Sequence, residues 1–153
     1  MKGLSTLYFI GKMSPIPGTL GSLIGMIVGI FLLYYSSLSI FLSFLILLFI
    51  ISYISISLYT SDPKRSDHDP TEVIIDEFLG QLISMIPIFS LAQGIKSLFI
   101  YGLISFILFR FFDIVKPWPI SYFDKIKNPL GVILDDIVAG IISALILFFL
   151  FSE

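Results

Sequence analysis

From Leu38 to Tyr59 the chain runs without a charged side chain. Wound as a helix, that stretch is about 33 Å long, enough to cross the roughly 30 Å hydrocarbon core of a bilayer. A soluble fold would have to cover this run on every side, and a chain of 153 residues has too little core for that. The remainder agrees. The chain is 57% hydrophobic and 13% charged, with a mean hydropathy of +1.04, where an average soluble domain carries about 25% charged residues. These features predict an all-α integral membrane bundle, residues 1–153 forming one membrane-embedded domain.

Other apolar runs suggest about five transmembrane helices. Gly18-Thr19-Leu20-Gly21-Ser22 leads into a run that ends at Tyr35, with Thr19 as the expected N-cap. Pro15 and Pro17 discourage a helix before it. Leu38–Tyr59 is the second span. A polar loop, 60–72, follows, and Thr71 is the expected cap of a third helix running from Glu72 to about Ser90, kinked or ended early by Pro87. Ser97 to Val115 is the fourth. Residues 116–131 are polar and proline-rich, with Trp118 and Tyr122 suited to a membrane interface. Asp135 then opens the last run, which ends near Phe151. The N-terminal stretch lacks a small-residue cleavage site, which argues against a signal peptide.

With the N-terminus in the cytoplasm, Lys2, Lys12, Lys64, Arg65, Lys116, Lys125 and Lys127 all fall inside, and Lys96 alone falls outside. That bias sets the orientation. It also gathers the chemically capable stretches at one membrane face. A net charge of −2 gives no electrostatic case for nucleic acid. The absence of cysteine excludes disulfide and thiolate chemistry. A single histidine, His68, excludes a histidine-rich metal site.

Two acidic pairs stand out at that face. Val73-Ile-Ile-Asp76-Glu77-Phe-Leu-Gly80 is echoed by Val132-Ile-Leu-Asp135-Asp136-Ile-Val-Ala-Gly140. On a helix Asp76 and Gly80 share a face, as do Asp136 and Gly140. A glycine one turn below a carboxylate admits another backbone or a ligand at close range. An acid inside a membrane costs roughly 2.5–3.5 kcal/mol on the gentler insertion scale, and gathered carboxylates repel one another. A hard divalent cation such as Mg²⁺, which prefers oxygen ligands beside a substrate phosphate, offsets both costs. The competing account is that these acids are helix N-terminal residues favoured by the macrodipole.

Two further stretches suit an anion. In Arg110-Phe-Phe-Asp113-Ile-Val-Lys116-Pro117 the charged residues are one turn apart. They read either as an ion-pair ladder at a helix end or as phosphate ligands, Arg110 and Lys116, with Asp113 orienting them or joining the metal. Pro17-Gly18-Thr19-Leu-Gly21-Ser22 places glycines ahead of a helix, where backbone N–H groups and the dipole favour an anion. It lacks the Gly-Lys-Ser/Thr ending of a P-loop. Asp62, Lys64, Arg65, Asp67, His68 and Asp69 read as a solvated loop, and a catalytic His68 is disfavoured.

Together these motifs resemble the phosphatidylglycerophosphatase A family of bacterial membrane enzymes. The resemblance rests on Pro17-Gly18-Thr19 with Gly21-Ser22, Asp76-Glu77-Phe78 with Gly80, Phe109-Arg110 with Phe112-Asp113, Lys116-Pro117 with Pro119, and Gly131 with Asp135-Asp136 and Ala139-Gly140. It implies a Mg²⁺-dependent phosphatase of the bacterial cytoplasmic membrane that converts phosphatidylglycerophosphate, a phospholipid, to phosphatidylglycerol and phosphate. Carried over by motif, Asp76, Glu77, Asp135 and Asp136 are the metal and catalytic candidates. Arg110, Lys116, Asp113, Gly18, Thr19 and Ser22 are the candidates for substrate. Attack by a water that the metal activates, and a carboxylate acting as base or nucleophile, both remain open at this level. The alternative function is a small Mg²⁺ or proton transporter, which needs polar residues continuing across the bilayer. The scattered serines of Leu38–Tyr59, and Ser143 alone beyond Gly140, count against it. A phosphotransferase of the CDP-alcohol type would need several spaced aspartates on one glycine-bearing helix, a pattern absent here.

Overall fold

The computed structural model describes residues 16–60, 73–126 and 128–152, and every regular element among them is helical. In chain order these are α1 (Pro17–Tyr35), α2 (Leu38–Thr60), α3 (Ile75–Ser84), α4 (Ile88–Leu91), α5 (Ile95–Val115), α6 (Ile120–Asp124) and α7 (Pro129–Phe151). Four of them, α1, α2, α5 and α7, are long and apolar enough to cross a membrane. Where the sequence suggests a fifth span there is a broken pair, α3 and α4, each too short to cross alone. The third helix expected from Glu72 to Ser90 begins only at Ile75 and stops at Ser84, and Met85-Ile86-Pro87 turns the chain into α4. Pro87 cannot donate the backbone hydrogen bond that would carry the helix through. The loop 61–72, with Thr71 and His68, lies outside the described residues, as do Lys2, Lys12, Pro15 and Lys127.

Two other helix starts differ from expectation. Helix α1 begins at Pro17, whose fixed φ and missing N–H suit a first helical position. Thr19 therefore sits inside the first turn, and Ile16 takes the cap position without a side-chain hydrogen bond. Helix α7 begins at Pro129, well before Asp135. Asn128 caps it by accepting from the Gly131 N–H at 2.8 Å.

The short helix α3 is the hub. It packs most extensively on α7 and α1 and also touches α2 and α5. All of its residues except Glu77 and Ile83 are buried. Close approach is possible because its neighbours present glycine. Along α1, Gly21, Gly25 and Gly29 recur every fourth residue and face Ile74 and Glu77, then Gln81, then Leu82 and Met85. On the other side Gly80 meets Gly140. A β-carbon at position 80 would stand 2.7 Å from the Asp136 carbonyl oxygen, and one at 140 would run into the Gly80 carbonyl. The outward faces of α1, α2, α5 and α7 carry exposed large apolar residues such as Phe31, Ile46, Leu103 and Phe149, as a lipid-facing surface requires. Helix α6 is anchored on α7 and α5 through Ile120, which is fully buried with Phe109 and Ala139.

Candidate active site

The Gly80–Gly140 contact sets what lies one turn above it. Asp76 precedes Gly80 by four residues and Asp136 precedes Gly140 by four, so joining the glycines joins the acids. Asp76, Glu77 and Asp136 each bring a carboxylate oxygen to within 4.8 Å of the others. Asp76 and Asp136 are 5% and 4% exposed, too little for water to screen them. The Glu77 N–H donates to Asp76 Oδ1 at 3.1 Å. The Glu77 Oε2 atom is buried and makes no hydrogen bond among the described residues. The macrodipole account fits Asp76 and Glu77, which occupy the first turn of α3. It fails for Asp136, which lies two turns inside α7, where the dipole no longer acts on it.

The first turn of α1 and the end of α5 close the site from the other side. Arg110 donates from Nη1 to Ser22 Oγ at 3.2 Å and forms an ion pair with Asp113. Ser22 Oγ in turn donates to the Gly18 carbonyl at 2.8 Å. A β-carbon on Gly18 would stand 2.5 Å from Glu77 Oε1 and 3.3 Å from Arg110 Nη1, so the carboxylate and the guanidinium meet across that glycine. The absent side chain leaves room for the two groups that carry opposite charge. Arg110 keeps a buried Nε with no partner among the described residues. Thr19 is half-buried on the same turn.

Lys116 takes another position. It ends α5 in the left-handed conformation, φ 44° and ψ 53°, and its N–H donates to the Phe112 carbonyl. Most helices leave that place to glycine, and the conformation costs a residue with a β-carbon on the order of 1 kcal/mol. The turn sends the ammonium to Asp135 Oδ2 at 2.7 Å and to Asp124. Burial works against its charge, but the carboxylates of Asp124 and Asp135 outweigh it and hold Lys116 above the ordinary lysine range. The sequence-predicted residues thus divide. Asp76, Glu77 and Asp136 form one group and Arg110, Asp113, Gly18 and Ser22 adjoin it. Asp135 faces away from its neighbour Asp136 to bind Lys116.

Two features lay beyond the sequence reading. Asp124, on α6, holds the exposed side of Lys116, and no spacing rule links residues eight apart across two prolines. Gln81, fully buried one turn below Glu77, donates to Ser84 at 3.2 Å and to Ser105 at 3.3 Å, and the two serine oxygens are 2.6 Å apart. The available signal for Gln81 was its place four residues after Glu77, on the same helix face.

Comparison with known proteins identifies the relatives of this chain. A family model described as Phosphatidylglycerophosphatase A matches residues 3–151. The chain is 40% identical to phosphatidylglycerophosphatase A of Haemophilus influenzae over 139 residues, covering 90% of this chain and 80% of that one. It is 34% identical to phosphatidylglycerophosphatase A of Escherichia coli over 153 residues, covering 93% and 78%. A Bacteroides thetaiotaomicron protein, named provisionally as a phosphatidylinositol-3-phosphatase, is 31% identical over 136 residues, covering 86% and 80%. No solved structure matches the chain. By the family match and by these identities, the chain belongs to the phosphatidylglycerophosphatase A family.

Proposed function

We propose that this protein hydrolyses the terminal phosphomonoester of phosphatidylglycerophosphate, giving phosphatidylglycerol and inorganic phosphate, with Mg²⁺ bound by Asp76, Glu77 and Asp136. The observation that carries the reading is the meeting of three carboxylates from α3 and α7 beside Arg110, at one end of a membrane bundle. The donor set is all oxygen, which suits a hard cation. Three acids this close cannot all ionise unless a positive charge lies between them, and the buried Glu77 Oε2 has a free coordination position. Bound there, Mg²⁺ supplies charge neutralisation at the phosphoryl oxygens and acidifies water.

The chain's own groups do the rest. Arg110 presents a planar donor fork to a phosphate, with Asp113 and Ser22 fixing its position. Its buried Nε–H has no partner among the described residues. Gly18 keeps the space between Arg110 and Glu77 open, and the N–H groups at the start of α1 add further donors. The carboxylates of Asp76, Glu77 and Asp136 are the bases within reach of an attacking water. Positioning and electrostatics together suffice for phosphoryl transfer. Lys116, paired with Asp135, supplies a second cation at the mouth of the site.

The deciding measurement is phosphate release by purified protein in mixed micelles. Release from phosphatidylglycerophosphate is expected with Mg²⁺, a fall of at least about 100-fold on chelation, and recovery on adding Mg²⁺ back. Release from phosphatidylinositol 3-phosphate alone would reassign the substrate, and undiminished activity in chelator would sink the metal site. The same reading places the protein in the bacterial cytoplasmic membrane with the site facing the cytoplasm. A reporter active only outside the cytoplasm, fused after Glu153, should then be active. A silent one would overturn that orientation.

A further inference from the structure

We propose that Asp124 is a positioning residue that holds Lys116 until the substrate's phosphate takes its place, so that phosphate and the Asp124 carboxylate compete for one ammonium. The inference rests on the phosphatase reading above and adds a residue to it. Lys116 has two anionic partners in unlike surroundings. The Asp135 side chain is 7% exposed, and its Oδ2 accepts from Nζ at 2.7 Å. The Asp124 side chain is 39% exposed and comes from α6, a five-residue helix at the rim. A buried pair is costly to part, because its remaining member is left uncompensated. An exposed pair is worth little, because water replaces either partner. An arriving phosphate dianion therefore exchanges with Asp124 and leaves the Asp135 contact in place.

The geometry around the pair favours that exchange. The left-handed turn at Lys116 ends α5, and the side chain reaches across to Asp135 on α7. Asp135 Oδ1 is buried without a partner among the described residues, so the Asp135 side has capacity to hold Lys116 when the Asp124 contact opens. Helix α6 is fixed by Ile120 rather than by Asp124. The ion pair can therefore open without releasing the helix. Exposed Trp118 and Tyr122, 82% and 63% exposed, mark α6 as the interfacial side from which a lipid headgroup arrives.

The test is an equilibrium titration of the full-length protein with inorganic phosphate, followed by ³¹P line broadening, in wild type and Asp124→Asn. Loss of the competitor should tighten phosphate binding by about fivefold, the range of an exposed ion pair. The same change should appear as a lower KM and stronger inhibition by phosphate, with kcat unmoved. Asp124→Glu should restore wild-type affinity. In a Lys116→Met background, Asp124→Asn should change phosphate affinity by less than about twofold. Unchanged or weaker phosphate binding in Asp124→Asn would overturn the proposal, as would an equal effect without Lys116. The titration needs no turnover. If wild type releases no phosphate from lipid while Asp124→Asn binds phosphate more tightly, the substrate assignment fails and the exchange stands.

Discussion

Asp136→Asn is expected to lower kcat for phosphate release by on the order of 10²–10³-fold while leaving the protein at least as stable as wild type in Mg²⁺-free buffer. The two effects have opposite sign for one reason. Asp136 brings a carboxylate oxygen to within 4.8 Å of Asp76 and Glu77, and the isosteric amide removes one of three crowded acids while keeping its shape. The bundle is relieved, but the group that would attract a cation is one charge short. Wild type should therefore gain thermal stability on adding Mg²⁺, because the ion binds the folded state alone, and Asp136→Asn should lose most of that gain. The measurement is a pair of melting curves, with and without Mg²⁺, beside a kcat determination. A variant that keeps its activity, or whose Tm still rises with Mg²⁺ as wild type does, would remove Asp136 from the site. Asp135→Asn is the informative neighbour. It breaks the Lys116 pair, and its loss should fall on KM more than on kcat.

The second large effect is expected from a single methyl group. In Gly140→Ala the new β-carbon runs into the Gly80 carbonyl and stands 3.2 Å from Ile83 Cβ. Neither neighbour is the flexible end of a side chain, so α3 and α7 must separate. Overpacking of this kind costs about 1–3 kcal/mol. The larger loss is in catalysis. The acids lie one turn above the contact, and a displacement of about 1 Å at a reacting centre costs roughly 100-fold. Gly80→Ala should behave alike, since its β-carbon would meet Phe109 Cε2 at 2.6 Å and the Asp136 carbonyl at 2.7 Å. Gly102→Ala is the control. Its β-carbon would meet the end of Ile30 at 3.2 and 3.3 Å, which can turn aside, and the end of Met85 at an ordinary 3.7 Å. Unfolding and initial-rate measurements on the three variants separate the cases. Equal behaviour of Gly140→Ala and Gly102→Ala would mean that the glycine contact does not set the site.

The distinction between these glycines was partly legible in the sequence. Spacing alone placed Gly80 below Asp76 and Gly140 below Asp136, because helical periodicity is a local property. That the two glycines touch each other is tertiary, and the repeated pattern only hinted at it. The spans were legible from hydropathy, since a membrane helix must satisfy its backbone internally. The boundaries were less so. Thr19 looked like a cap, but Pro17 starts the helix because its ring favours the first turn more than a hydroxyl favours the position before it. Asp135 looked like the opening of the last helix, yet Asn128 caps it two turns earlier. The pairings of Lys116 with Asp135 and Asp124, and of Gln81 with Ser105, join separate elements, and no local rule reports them.

Helix α3 has a mechanical consequence. It is about 15 Å long, half the depth of the hydrocarbon core, and nearly all of it is buried among the other helices. A thicker or thinner membrane acts on helices with exposed apolar flanks, which answer by tilting. In this protein those are the outer helices. Helix α3 travels with them as cargo, gripped by glycines on two sides and pinned in height by Gln81 to Ser105. A change in bilayer thickness reaches the carboxylates only by prising open a backbone contact, which is far stiffer than a change of tilt. The spacing of the three acids is thereby insulated from the length of the surrounding acyl chains.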